Sequence, residues 1–211
     1  MDRWAPLSST QTTAAGVIPK EPVSDPKKMV VTKTAIPGVL IIEPKVFGDS
    51  RGFFTELYQA DRYAVNGIGR QFVQDNLSRS VKGTLRGLHF QNPKPQGKLL
   101  TILRGSVLDV AVDVRRGSPT FGQHVIVELN DENRRQFWIP AGLAHGFIVL
   151  SDTADFFYKC DEFYTPANEH VLLWNDQKLG IKWGNDAPLM SARDKDGRTL
   201  AQLEGEAPKF E

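Results

Sequence analysis

The chain has 211 residues, 24% charged and 40% hydrophobic, with a formal net charge of +1. That length fits one domain with a sizeable core, and the balanced charge gives no reason to expect nucleic acid or a membrane surface as partner. No apolar run approaches the roughly 18 residues of a membrane span, and the single cysteine, Cys160, excludes an intrachain disulfide and fits a reducing cytoplasm.

Residues 1–28 hold four of the thirteen prolines and a Ser-Ser-Thr-Gln-Thr-Thr run, with almost no periodic apolar pattern. They read as a disordered extension that buries too little to offset its ordering entropy. The segment lacks the basic start and apolar block of a secretion signal. A single folded domain is expected over 29–211. It opens with strands at 30–34 and 39–45, split by the turn Ile36-Pro-Gly38, and Gly48-Asp-Ser-Arg-Gly52 turns into a strand at 53–58. One short helix is expected at 61–65, stopped by Asn66-Gly67.

The stretch Gly83-Thr-Leu-Arg-Gly-Leu-His-Phe-Gln91 follows. Leu85 and Leu88 do not share one period, so it reads as a buried strand bent at Gly87. Further strands are expected at 98–103, 107–114, 124–129, 136–139, 147–150, 156–160 and 171–174, with turn signals about every ten residues. Many short strands with little helix indicate an all-β sandwich or barrel, most simply a jelly roll. Along 107–114, Asp109 and Asp113 share a face, which is either solvated or lines a polar cavity.

Several side chains in this pattern suit chemistry on an anion. Arg86 suits an anion, His89 can take a proton near neutral pH, and Lys98 can stabilise an oxyanion. Tyr158, on an apolar strand, is either core or a proton donor facing His89. Asp194 is a surface carboxylate unless it pairs with His89. Cys160 reads as a small core residue, and His124 and His170 as structural or surface.

The segment Pro140-Ala-Gly-Leu-Ala-His145 resembles the second signature of the cupin barrels, and Gly83 to His89 resembles the start of the first. Cupins hold a metal through a histidine pair, a glutamate and a later histidine. Here Gln91 stands in place of the second histidine, and no glutamate follows at the expected distance. Two histidines make a poor set for a divalent transition metal, so acid–base chemistry is expected instead.

An ordered set of motifs, from about Met29 to Leu200, resembles the dTDP-4-dehydrorhamnose 3,5-epimerase family. It includes Glu43-Pro-Lys-Val-Phe-Gly-Asp49, Arg51-Gly-Phe-Phe54, Phe72-Val-Gln-Asp-Asn76, Leu85-Arg-Gly-Leu-His-Phe-Gln91, Gln96-Gly-Lys98, Ser118-Pro-Thr-Phe-Gly122, Ala144-His-Gly146, Trp174-Asn-Asp176 and Ser191-Ala-Arg-Asp194. The resemblance implies a cytoplasmic homodimeric enzyme with a cupin-like jelly roll, no cofactor and no metal. Its substrate would be dTDP-4-dehydro-6-deoxyglucose, inverted at C3 and C5 on the way to dTDP-L-rhamnose and products such as O-antigen.

Residue by residue, the resemblance makes His89 the base and Asp194 its partner. Lys98 would stabilise the enolate, with Asp109 near it, and Tyr158 would return a proton from the opposite side. Arg51, Glu56, Gln74, Asp75, Asn76, Arg86, His145, Glu169 and Arg193 would line the nucleotide-sugar site, and Phe47 and Tyr164 would hold the thymine. Arg193 stands where lysine is common, with the charge kept. Some family members invert one carbon only, and close cupin relatives move the ketone instead. A metal-dependent cupin and a catalytically dead sugar-nucleotide binder are the competing classes; the first needs ligands missing here, and the second should lack His89, Lys98 or Tyr158.

Overall fold

A computed structural model of the chain describes residues 29–209; the expected disordered extension lies outside the described residues. In chain order the elements are β1 (Val30–Lys33), β2 (Leu40–Glu43), β3 (Val46–Asp49), β4 (Gly52–Thr55), α1 (Ala60–Ala64), β5 (Gln74–Val81), β6 (Leu85–Gln91) and β7 (Lys98–Arg104). There follow β8 (Ser106–Asp113), β9 (His124–Asn130), β10 (Gln136–Ile139), β11 (Leu143–Val149), β12 (Thr153–Cys160), β13 (Glu169–Val171), α2 (Ala192–Lys195) and α3 (Leu200–Leu203).

Six strands form one antiparallel sheet in the order β1-β2-β10-β7-β12-β5, five form a second in the order β13-β6-β11-β8-β9, and β3 and β4 make a separate hairpin. The two large sheets pack face to face as a cupin-like jelly roll, through Leu100, Ile102, Phe137 and Phe156 on one side and Val107, Ala111, Val127 and Phe147 on the other. Both outer faces are also covered in part. Tyr63 and Ile68 pack over Leu40, Ile42 and Leu99 of the first sheet, and Leu172, Leu179, Trp183 and Leu203 over Leu88, Phe90 and Val110 of the second.

Because β8 is buried on both faces, neither of its carboxylates is solvated. Asp113 accepts from Arg115 Nε at 2.9 Å and from the hydroxyls of Ser118 and Thr120, each at 2.6 Å, and so closes the turn after the strand. Hydrogen bonding of that kind satisfies a buried charge that would otherwise be costly.

Several strands differ from their expected positions; β3 takes up the start of the expected Gly48–Gly52 turn, and β12 begins at Thr153, three residues early. β5 was not expected at all, because Gln74, Asn76 and Ser78 face a polar cavity while Asp75 and Arg79 face outward, which removes the apolar alternation. β11 starts at Leu143, four residues early, and buries all seven of its positions, so it shows no period. The last strand is Glu169–Val171, not 171–174: Leu172 bridges to Arg198 instead, where the chain leaves the sheet.

The bend expected at Gly87 is present and sets the site. β11 and β6 pair His145 with His89 and Phe147 with Arg86, with a register shift between. That shift places both Leu85 and Leu88 in the outer core while His89 faces the cavity. Gly87 has φ +115°, and a Cβ there would lie 2.6 Å from both Gly146 Cα and the His145 carbonyl oxygen. Gly87→Ala should therefore lower stability by at least about 2 kcal/mol, from strain and overpacking together. Gly205→Ala, where nothing lies within 4 Å, should stay within about 0.5 kcal/mol. Urea unfolding of the two variants checks this, and equal midpoints would contradict it.

Candidate active site

At one end of the sandwich the sheets part around a cavity of about 810 Å³. Gln74, Asn76 and Ser78 of β5, Lys98 of β7 and Phe156, Tyr158 and Cys160 of β12 line one wall. Strand pairing places them side by side: Tyr158 is opposite Asn76 and Leu100, and Cys160 is opposite Gln74 and Lys98. The facing wall carries Arg86, His89 and Gln91 of β6 and His145 and Phe147 of β11, and the segment from Leu189 to Asp194 forms the lip. His89 and Tyr158 thus come from opposite sheets.

His89 Nε2 lies 2.8 Å from Asp194 Oδ1. The four-residue α2 brings that carboxylate in, with Ser191 as N-cap accepting from Asp194 N at 3.1 Å. A helix this short does not form alone; the contacts of Asp194 with His89 and the Gly87 N–H help to seat it. Burial pushes the Asp194 carboxyl up, but the hydrogen bond and charge of His89, with the Gly87 and Ser191 contacts, outweigh it and hold the group below the usual carboxylate range. Asp194 therefore stays ionised at neutral pH, where it fixes the ring and stabilises imidazolium.

Lys98 is buried, and that burial pushes its ammonium below the ordinary lysine value, opposed by the charges of Cys160, Glu169 and Asp161. Its amine lines the cavity where it can stabilise a negative charge as one forms. Burial likewise raises the Tyr158 phenol to about 12, with Cys160 and Glu169 adding to the effect. The hydroxyl stays protonated across neutral pH. Cys160 is buried as expected, yet it also floors the cavity, and burial raises its thiol to about 11.

At the mouth, Arg86 is exposed and its Nε donates to Ser80 Oγ at 3.0 Å. Glu169 Oε2 accepts from the Tyr164 hydroxyl at 2.9 Å and pairs with Arg193. Gln91, in the place of a cupin histidine, has its amide fully engaged. Its Nε2 donates to the carbonyls of Lys94 and Phe163, and its Oε1 accepts from Thr165 N. It ties down the 163–165 loop. Among the described residues no group of three or more His, Cys, Asp or Glu side chains is placed to hold a metal ion.

The family model for dTDP-4-dehydrorhamnose 3,5-epimerase matches residues 33–202. The chain belongs to this family. It is 52% identical over 178 residues to a dTDP-4-dehydrorhamnose 3,5-epimerase of Pseudomonas aeruginosa, covering 83% of this chain and 98% of that one. It is also 43% identical over 170 residues to a dTDP-4-dehydrorhamnose 3-epimerase of Streptomyces niveus, with 79% and 82% covered. A crystal structure of the epimerase from Legionella pneumophila, in complex with dTDP-4-keto-L-rhamnose, superposes with a TM-score of 0.84 at 50% identity, covering 87% of this chain and 99% of that one.

Among the site residues that resemblance to the epimerase family implied, the cavity brings together His89, Lys98, Tyr158, Asp194, Gln74, Asn76, Arg86, His145, Tyr164, Glu169 and Arg193. The other five lie elsewhere. Asp75 points to the outer face of β5 and pairs with Lys159 at 2.8 Å, since strand neighbours alternate. Asp109 is fully buried, with His145 Nε2 3.0 Å from both its oxygens, so it lies beneath His145 and not on the cavity wall. Glu56 pairs with Arg62 and lines a separate crevice with Phe47. Arg51 sits at the hairpin tip, its side chain 87% exposed and paired with Asp49.

Sequence reading assigned no role to Ser78, Thr84, Phe147, Phe156 or Met190, which also line the cavity. Phe147 and Phe156 stack with centroids 4.2 Å apart and join the two sheets at its inner end. Alternation from Tyr158 along β12, from His145 along β11 and from Asn76 along β5 would have found Phe156, Phe147 and Ser78; Thr84 and Met190 carry no such signal. His124 is half-buried at the start of β9, and His170 stacks on Phe90 at 5.0 Å; neither lines the cavity.

Proposed function

We propose that the protein inverts C3 and C5 of dTDP-4-dehydro-6-deoxyglucose without metal or redox cofactor, in the cytoplasm, as a step of dTDP-L-rhamnose formation for surface polysaccharide. The observation that carries this reading is the placing of a histidine–aspartate pair and a protonated tyrosine on opposite walls, with a buried lysine between the same sheets. The C4 ketone acidifies the hydrogens on both neighbouring carbons. His89 takes one of them, the electrons move onto the ketone oxygen beside Lys98, and Tyr158 returns a proton to the opposite face of the carbon. Arg86 and Arg193 suit the diphosphate. Inversion at one carbon only, as the name of the Streptomyces niveus relative has it, is the alternative.

Product analysis after prolonged chelation tests the reading. The sugar should emerge inverted at both carbons at an unchanged rate. Activity that vanished with chelator and returned with one added divalent ion would overturn it.

The functional unit we infer is a homodimer. Its support is the hairpin of β3 and β4, which exposes Phe47, Phe53 and Phe54, together with β1, which among the described residues pairs only with β2 and so presents an edge. From there Phe47 and Arg51 reach a nucleotide in a second copy, not in their own cavity. Arg51→Ala and His89→Ala proteins, each nearly inactive alone, should regain activity when mixed and allowed to exchange subunits. A fully active monomer at micromolar concentration would contradict this.

A further inference from the structure

Inverting a carbon with one base and one acid leaves the site unable to repeat the step. Each inversion moves a proton from carbon to His89 and another from Tyr158 to carbon, so imidazolium faces phenolate. Before the next inversion His89 must lose a proton and Tyr158 must gain one.

The contacts of His89 show where its proton can go. Nε2 is engaged with Asp194 at 2.8 Å, which leaves Nδ1 to accept from the substrate. Glu169 Oε1 lies 3.9 Å from Nδ1. That distance is too long for a hydrogen bond that orients the ring, a task Asp194 already performs. It is an ion-pair distance, and a newly formed imidazolium draws the carboxylate in. The other oxygen of Glu169 is committed to the Tyr164 hydroxyl and to Arg193, whose guanidinium is half exposed at the mouth. Glu169 itself is mostly buried. It therefore spans the gap between the buried base and the solvent edge.

We propose that Glu169 is the proton relay that resets His89 after each inversion, a role that rests on the epimerase reading above. Imidazolium Nδ1–H passes its proton to Glu169 Oε1, leaving neutral imidazole and a carboxylic acid. The acid releases the proton to water at the mouth, and the Tyr158 phenolate takes one from cavity water, so no proton is consumed overall.

The test compares the first inversion with steady turnover in Glu169→Gln, which keeps the shape and the acceptor for Tyr164 but does not accept a proton. With enzyme and dTDP-4-dehydro-6-deoxyglucose at equal concentration, the first inversion should fall far less than steady turnover, and singly inverted sugar should accumulate. Steady-state turnover should fall on the order of 10²-fold, the low end for a lost positioned proton transfer because water substitutes in part. Added formate should raise the steady rate of Glu169→Ala. An equal fall in both phases, no fall in either, or no response to formate would overturn the relay. A parent protein that inverts neither carbon would instead overturn the epimerase reading, and the relay with it.

Discussion

His89→Ala should abolish both turnover and the exchange of substrate hydrogen into heavy water, because no enolate forms without the base. Tyr158→Phe should behave differently. It keeps His89, Asp194 and Lys98, so the enolate still forms, and His89 can return a solvent-derived hydrogen to the original face at C5. Exchange should persist while inversion falls by about 10²–10⁴-fold, the usual cost of one positioned acid. The opposite-wall placement of the two residues makes this separation possible. If Tyr158 were only packing, Tyr158→Phe would invert both carbons at the parent rate with a small loss of stability. Proton NMR in heavy water reads exchange and inversion in the same sample.

Lys98→Met should lower activity by about 10²–10³-fold, the scale seen when one preorganised oxyanion donor is lost. Stability should move the other way, rising on the order of 1 kcal/mol, because a buried amine whose charged form desolvation penalises is replaced by an apolar chain of similar size. The pH dependence follows from the same shift. Lys98 has a lower folded than unfolded value, so between the two the unfolded chain binds more protons and stability rises with pH. Below the folded value the full cost of the buried charge is present; it is relieved as pH climbs through that value toward the unfolded one near 10.5. The gain from Lys98→Met should shrink over that window. Urea titrations at several pH values measure it, and a variant less stable than its parent at neutral pH would contradict the reading.

The parts of the molecule that were legible from sequence are those where local chemistry and burial agree. The strand bend at Gly87 was visible because Leu85 and Leu88 break a single period, and the structure gives the reason: a register shift against β11 at Gly146. The helix stop at Asn66-Gly67 came from turn chemistry, and Gly67 indeed has φ +91°. β5 was hidden because a strand lining a polar cavity carries Gln74, Asn76 and Ser78 where a core strand would carry valine or isoleucine. Side-chain direction was harder to read than position. Asp75 sits one residue from two cavity-lining amides, yet alternation sends it outward to Lys159. Asp109 faces inward as the pattern allowed, but His145 covers it. Such layering depends on which strands become neighbours, and that is a property of the folded sheet and not of any one segment.

The site reading predicts a definite pattern of label. Incubation of the parent protein with dTDP-4-dehydro-6-deoxyglucose in heavy water tests it most directly, with the deuterium content and configuration of each carbon read at completion. Because His89 takes the substrate hydrogen and Tyr158, in exchange with solvent, returns another from the opposite side, C3 and C5 should each carry one solvent deuterium with inverted configuration. Inversion at a single carbon, a hydrogen carried over from substrate at either inverted centre, or a ketone moved from C4 would contradict it.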